Sequence, residues 1–107
     1  KIVYTNGTAP YARQVLVARG LGQVFDAVYG VEEANYLPKP ELGAFETIFA
    51  LDGIHPRQAA MFEDEARNLK VPHSLGMQTV HVAPVPVTAP YLQHHTDDLR
   101  LFLEHLV

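Results

Sequence analysis

The sequence contains no cysteine and no tryptophan, and it has no long hydrophobic run. Without cysteine the chain can form no disulfide framework and offers no thiolate nucleophile, which is compatible with the reducing cytoplasm. Its longest mainly apolar stretch, residues 79–90, contains one histidine and three prolines and is much shorter than the roughly 20 residues of a membrane-spanning helix. We therefore expect a cytoplasmic protein without a transmembrane segment.

Positive charge is scarce as well. Eight lysine and arginine residues face twelve aspartate and glutamate residues, so the formal net charge is -4, and the basic residues form no cluster. Nucleic-acid binding and attachment to an anionic membrane both need clustered cationic side chains, so the composition argues against both. What is present is 107 residues with 48% hydrophobic content, enough for the core of one domain. Because the first residues already form an apolar strand, we expect the chain to be a fragment.

Short β-rich runs alternate with helical patterns along the whole chain. We predict strands at residues 2–5, 25–29, 58–62 and 79–82, with helices between and after them. Thr8 and Thr96 are the expected N-cap residues, and Gly53 is an expected helix end. The apolar faces predicted from helical spacing are, in chain order, Tyr11, Val15 and Ala18; Ala44, Phe45, Ile48 and Leu51; and Leu99, Phe102, Leu103 and Leu106. Leu69, His73 and Leu75-Gly76 fit a further helix that ends at glycine.

This alternation predicts an α/β fold, a Rossmann-like parallel sheet with helices on both faces. In such sheets ligands bind beyond the carboxyl ends of the strands, so the residues that follow each strand are the candidates for chemistry.

The first strand end carries Thr-Asn-Gly-Thr at residues 5–8. A hydroxyl, an amide and a small residue stand there before a helix N-terminus, whose unpaired N–H groups attract anions. A phosphate could be held by these N–H groups, by the Thr5 hydroxyl and by the backbone of Asn6. The same residue types also form ordinary strand-to-helix turns, and the segment alone does not separate the two interpretations.

Lys39 lies between Pro38 and Pro40 at the start of the next predicted helix. The prolines stiffen the backbone, so the ammonium group extends from a fixed base, as suits a catalytic cation. The alternative is a solvated surface charge, which is the usual state of a lone lysine at a helix start.

Acidic residues follow the third predicted strand at 63–65, and Asn68 lies four residues beyond Asp64. Mg²⁺ takes one or two protein carboxylates and completes its shell with water and phosphate, so Asp64, with Glu63 and Asn68 nearby, forms a candidate magnesium site. The alternative is an acidic first turn that favours the helix dipole. Together with Thr5 and Lys39, these residues supply the charge-neutralising parts of phosphoryl transfer, but no nucleophile lies at a strand end.

Other assignments fit less well. A phosphoacceptor receiver domain uses similar residue types in the order acids, hydroxyl, lysine, whereas here Thr5 comes first, then Lys39, then Asp64. Dinucleotide binding needs a glycine fingerprint after the first strand, which is absent. The six histidines show no metal-ligand spacing and are expected at the surface or in packing, with His94 and His95 in a proline-flanked tail.

The motifs also follow a familiar order. They are Val-Tyr-Thr-Asn-Gly at 3–7, Pro-Lys-Pro at 38–40, Phe-Glu-Asp at 62–64, Arg-Asn-Leu at 67–69, and Leu-Gly-Met-Gln-Thr-Val at 75–80. This order resembles the haloacid dehalogenase superfamily of phosphohydrolases, and within it the pyrimidine 5'-nucleotidase-like branch. The resemblance runs almost end to end. Glu65, where the family usually has a small polar residue, and Pro72, where it has a helix former, depart from the pattern.

The resemblance implies a role for each candidate residue. These roles are phosphoryl binding for Thr5 with Asn6, charge neutralisation for Lys39, Mg²⁺ binding for Asp64, orientation of the metal's water for Asn68, and outer-shell support for Glu63. The implied activity is Mg²⁺-dependent hydrolysis of a small phosphomonoester through an aspartyl-phosphate, with a nucleoside monophosphate as the implied substrate.

One part of the family pattern is missing from this chain. It is the D-x-D segment, whose first aspartate attacks phosphorus and whose second is the general acid; in the family this segment ends the central strand and precedes a helical cap. We therefore expect residues 1–107 to be the carboxyl-terminal part of one core domain, without the cap. The sheet would lack its middle strand, leaving the strands at 2–5 and 59–62 with unpaired inner edges. The alternative is an inactive fragment or a non-enzymatic binding module that keeps the sheet.

Overall fold

The computed structural model describes residues 1–104, without the side chains of residues 103 and 104. The chain divides into two compact units, Lys1–Gly53 and Ile54–Val107. Each unit contains its own parallel sheet, which confirms the predicted α/β class. None of the helices within residues 1–104 has the length and apolar composition needed to span a bilayer.

The first unit is built from two strands and two helices. They are β1 (Ile2–Tyr4), α1 (Ala9–Ala18), β2 (Ala27–Tyr29) and α2 (Leu42–Asp52). β1 and β2 run parallel with Val3 opposite Val28. The core of the unit forms around α2, whose Phe45 is fully buried and meets the Tyr4 ring edge-on at a centroid distance of 5.8 Å. This contact fixes α2 against the carboxyl end of β1.

The helix start predicted at Thr8 and the helix end predicted at Gly53 are both confirmed. The Thr8 hydroxyl accepts a hydrogen bond from the Tyr11 amide at 3.4 Å and caps α1. Gly53 ends α2 in the left-handed conformation, with φ of 72°, which a residue without Cβ adopts at no steric cost.

The predicted face of α1 is wrong, and that of α2 is wrong in part. Tyr11 and Val15 of α1 are 65% and 40% exposed, and Ala18 is exposed as well. In α2, Leu51 is 59% exposed while Phe49 is buried. Apolar residues lie on nearly every side of both helices, so the periodicity specifies no single face, and tertiary packing decides which side is buried.

Within residues 54–104 the second unit has three strands. A 3₁₀ turn (Pro56–Gln58) precedes β3 (Ala60–Glu63), so this strand begins two residues later and ends one residue later than predicted. A 3₁₀ segment (Ala66–Leu69) then leads directly into α3 (Lys70–Ser74). Pro72 lies in the first turn of α3, where its missing N–H is tolerated.

β4 (Gln78–Val82) lies between β3 and β5 (His94–Thr96) in a parallel sheet, and α4 (Leu99–Glu104) follows. The sequence interpretation placed His94 and His95 in a tail, which is wrong, because they form this short edge strand. Their polar side chains give no strand pattern, and the strand exists through its pairing with β4, with Val80 opposite His94.

The last helix begins differently from the prediction. The Thr96 hydroxyl accepts from the Asp98 amide, while the Asp98 carboxylate accepts from the Leu101 amide, so Asp98 performs the capping. The Phe102 ring packs edge-on against Phe62 at 6.0 Å. Of the predicted apolar face, the Leu103 side chain and Leu106 lie outside the described residues.

Each sheet has two edge strands within residues 1–104. The strand order is β1-β2 in one sheet and β3-β4-β5 in the other, so β1, β2, β3 and β5 each pair on one side only. β1 and β3 are the two strands for which unpaired edges were expected. Such an edge presents a row of N–H and C=O groups that can pair with a further strand.

Candidate functional site

Thr5 stands directly beyond β1 and is held there by backbone and side-chain hydrogen bonds. Its amide donates to the Tyr29 carbonyl at 3.0 Å, which extends the pairing of β1 with β2 by one residue. Its hydroxyl accepts from the Gly7 amide at 3.1 Å. The hydroxyl is therefore fixed at the strand end, and its own proton can be donated to an anion.

Lys39 is a buried cation beside this strand end. The residue is only 8% exposed, its ammonium group donates to the Tyr4 carbonyl at 3.2 Å, and the same group lies 4.9 Å from the centre of the Tyr4 ring. Tyr4 immediately precedes Thr5, so the structure brings Thr5 and Lys39 together at the carboxyl end of β1. The Tyr4 carbonyl and the face of its ring stabilise the buried ammonium group, so a fixed positive charge stands at this strand end.

Asn6 clamps the backbone of Lys39 through both atoms of its side-chain amide. The Lys39 amide donates to Asn6 Oδ1 at 2.7 Å, and Asn6 Nδ2 donates to the Lys39 carbonyl at 3.3 Å. The sequence interpretation gave the Asn6 backbone a share in phosphate binding and did not foresee this use of the side chain. The pair of bonds joins positions 33 residues apart and fixes the base from which the lysine extends.

The N-terminus of α1 offers fewer anion donors than the sequence interpretation assumed. The Ala9 amide donates to Glu32 Oε1 at 2.9 Å, the Tyr11 amide is taken by Thr8, and Pro10 has no N–H. The hydrogen bond from Ala9 lowers the pKa of Glu32, so this carboxylate stays ionised and keeps its place at the helix end. No pattern in the sequence predicts that Glu32 accepts a hydrogen bond from Ala9, 23 residues away.

Gly30 allows the loop that follows β2 to approach the loop that follows β1 closely. A Cβ atom at Gly30 would lie 2.8 Å from the Gly7 carbonyl oxygen, and closer still to the Ala9 nitrogen and the Glu32 carboxylate. Two of these three atoms belong to the backbone and cannot rotate away, so a side chain at this position forces the loops apart.

Gly30→Ala is therefore expected to lower the free energy of unfolding by about 1–3 kcal/mol, the usual cost of overpacking. Gly43→Ala is the matched control, since its Cβ would meet only the end of the flexible Leu37 side chain, at 3.2 Å, inside a helix that favours alanine. Urea unfolding of the complete protein measures both. Equal stability of the two variants would contradict the close approach at Gly30.

The second group of candidate residues lies at the carboxyl end of β3. Glu63 is the last residue of the strand, Asp64 follows it with an exposed side chain, and Asn68 is 96% buried, at 4% exposure. Asn68 Nδ2 donates to Glu63 Oε1 at 3.3 Å, while Asn68 Oδ1 is buried with no hydrogen-bond partner among the described residues. A buried acceptor without a donor is rare in folded proteins, and a metal ion or its water would satisfy it.

These oxygens fit a Mg²⁺ site, in which water and substrate complete the coordination shell, better than a site in which protein side chains provide every ligand. Within residues 1–104, no group of three or more histidine, cysteine, aspartate or glutamate side chains is arranged to hold a metal. Mg²⁺ needs no such cage, because one or two carboxylates suffice and water and substrate provide the remaining oxygens. The donor set of Asp64, Glu63 and Asn68 is of this kind.

His81 also contacts this segment, which the sequence interpretation did not foresee. It lies on β4 opposite Glu63, is 3% exposed, and places Nε2 2.9 Å from the Asp64 carbonyl oxygen. The only sequence signal is its alternation with Thr79, which puts both on one face of β4.

Parallel sheets with polar residues at their carboxyl ends define an α/β protein of the kind that binds ligands beyond its strands. A family model described as haloacid dehalogenase-like hydrolase matches residues 2–82, which is more than half of the chain. The chain belongs to this family of hydrolases.

Solved structures of the family share the fold. The chain matches a dehalogenase with a TM-score of 0.84 at 18% identity over 97% of its length. It also matches a "predicted phosphoglycolate phosphatase" from Haemophilus somnus, with a TM-score of 0.76 at 21% identity over 99% of the chain. A phosphatase from Thermococcus onnurineus gives 0.74 at 24% identity over 90%.

The chain spans about half the length of these structures, namely 47%, 49% and 45%. At such identities the likeness shows the fold alone. A search of the curated proteins gives no match.

Proposed function

We propose that the protein containing this chain is a Mg²⁺-dependent phosphomonoester hydrolase that works through an aspartyl-phosphate. The observation that carries the proposal is the buried Lys39, whose ammonium group donates to the Tyr4 carbonyl at the end of β1, one residue before Thr5. A cation and a hydroxyl donor at one strand end match the charge and hydrogen-bonding needs of a phosphoryl group. Membership of a hydrolase family supports the reaction class.

In the proposed reaction each residue of the first unit has a defined part. The Thr5 hydroxyl donates to a phosphoryl oxygen, and the Lys39 ammonium offsets the charge of the phosphoryl group and of the attacking carboxylate. Asn6 keeps the lysine in place through its backbone. Because these groups are positioned before substrate arrives, they need little reorganisation in the transition state.

In the second unit, Asp64 with Glu63 and Asn68 would hold Mg²⁺. The ion would neutralise charge on the phosphate oxygens during transfer. The Asn68 Oδ1, which has no partner within the described part of the chain, and the exposed Asp64 carboxylate support this assignment.

The nucleophile is proposed to lie in a preceding segment of the same protein, or in a complementary chain, that ends the missing central strand. Its aspartate would attack phosphorus while the ester P–O bond breaks and a second aspartate protonates the leaving alcohol; water then hydrolyses the aspartyl-phosphate. The half-length match supports this division. A remnant without catalysis has no reason to retain Thr5, Lys39 and Asp64 together.

The substrate is proposed to be a small phosphomonoester, with nucleoside monophosphates first, on the resemblance to the pyrimidine 5'-nucleotidase-like branch. The test is a phosphate-release assay of the complete protein with UMP, CMP, phosphoglycolate and p-nitrophenyl phosphate, in Mg²⁺ and in EDTA. We expect release that depends on Mg²⁺ and is fastest with a nucleotide. Halide release from a 2-haloacid with no phosphate release would overturn the proposal, and inactivity on every substrate would favour the binding module.

A further inference from the structure

His81 is a buried histidine whose ring contacts the backbone of the proposed metal ligand. It is 3% exposed, and its Nε2 lies 2.9 Å from the Asp64 carbonyl oxygen. The parallel register places His81 opposite Glu63, so the ring reaches past the last residue of β3 to the residue beyond it. The contact therefore fixes the peptide that follows the strand.

The partners determine which nitrogen of the ring carries hydrogen. A carbonyl oxygen can only accept, so Nε2 must be the donor. Nδ1 is buried with no hydrogen-bond partner among the described residues. The contact is therefore assigned as a hydrogen bond from the His81 Nε2–H to the Asp64 carbonyl oxygen.

The neighbouring strand contains a similar contact that serves as a comparison. His95 of β5 stands opposite His81, the two rings are 6.1 Å apart, and His95 Nε2 lies 2.8 Å from the Ala83 carbonyl oxygen just beyond β4. His95 is exposed and its acceptor belongs to no candidate site. The two histidines thus make the same kind of bond, one of them to Asp64.

We propose that His81 is a positioning residue for metal binding, which acts by holding the Asp64 peptide so that the carboxylate is presented to Mg²⁺. This inference rests on the proposed function of Asp64. The Asp64 side chain is exposed, so its direction depends on the backbone that carries it, and the His81 hydrogen bond restrains that backbone from a buried, packed position. Groups that orient a metal ligand typically change metal affinity by 10–100-fold when they are removed.

The test compares two substitutions at His81 in the complete protein. His81→Met fills similar space without an N–H donor, whereas His81→Gln keeps a donor at about the reach of Nε2. Titration calorimetry measures Mg²⁺ affinity in the absence of substrate, and the melting temperature measured without Mg²⁺ reports stability. We expect His81→Met to raise the Mg²⁺ dissociation constant about tenfold or more, His81→Gln to restore most of the affinity, and His95→Met to leave it unchanged.

A role confined to packing gives a different result. In that case His81→Met and His81→Gln would lower the melting temperature and leave the Mg²⁺ dissociation constant at the wild-type value, which overturns the inference. The variant Asp64→Asn separates this failure from that of the proposed function. Normal Mg²⁺ affinity in Asp64→Asn overturns both, whereas weak affinity there with normal affinity in His81→Met overturns only the role of His81.

A measurement on the wild-type protein keeps the inference testable if His81→Met does not fold. Long-range ¹H–¹⁵N correlation spectra of the histidine rings identify the tautomer of each histidine. The hydrogen of His81 is expected on Nε2, and a ring that carries it only on Nδ1 cannot bond to the Asp64 carbonyl and overturns the inference.

Discussion

Lys39→Met is expected to lower kcat for phosphate release by about 10²-fold or more, because it removes a fixed positive charge from the site of phosphoryl transfer. The methionine keeps the length and much of the packing of the buried lysine stem, so the variant is expected to fold. Steady-state kinetics on the best substrate of the complete protein, with the melting temperature as a check on folding, measure the effect.

Two further variants show whether the position of the charge matters. Lys70→Met removes an exposed lysine of α3 and should leave kcat unchanged. Asn6→Ala keeps the Lys39 charge but removes both bonds to its backbone, so kcat should fall by less than in Lys39→Met while KM changes little. Wild-type kcat in Lys39→Met would remove Lys39 from the active site.

Asp64→Asn is expected to weaken Mg²⁺ binding by about 100-fold or more. Removing a group that only orients a ligand costs 10–100-fold, and a carboxylate that itself contacts the ion should cost at least as much. The side chain is exposed, so the substitution should change stability little. Activity measured against Mg²⁺ concentration, together with calorimetric titration, gives the shift.

Glu65→Gln is the matched control for Asp64→Asn. It removes the same charge one residue along the chain, and its contact with Arg67, at 3.9 Å between exposed side chains, contributes little to stability. We expect Mg²⁺ affinity close to wild type. An equal loss in both variants would mean that the ion responds to the local negative charge and has no ligand at Asp64.

The sequence predicted those parts of the fold that depend on residues close together in the chain. The cap at Thr8 and the helix end at Gly53 follow from groups within four residues, and the structure contains both. β5 depends on residues far away, because its polar side chains form a strand only when they pair with β4. The exposure of Tyr11 also depends on distant residues, because the elements that pack against a helix decide which of its sides is buried.

For the candidate site, the sequence predicted where residues would lie but not what they would contact. Thr5 and Asp64 each directly follow a strand, so the pattern predicts that each lies at the carboxyl end of the parallel sheet of its own unit. The side-chain contacts of Asn6, Glu32 and His81 join distant segments, and no spacing rule encodes them. Such contacts are fixed by packing, which the sequence determines only through the whole fold.

The Asn6 clamp has a consequence for how this part of the chain can vary. A side-chain amide places an N–H donor next to a carbonyl acceptor, as a strand's backbone does, so Asn6 pairs with Lys39 much as a neighbouring strand would. The two bonds to Asn6 fix the end of the loop that runs from β2 to Lys39, and no residue within the loop takes part in them. Of the exposed residues 35–37, Asn35 and Tyr36 have positive φ (56° and 63°), so the backbone restricts substitution there and Leu37 is the position that can vary most while the lysine stays in place.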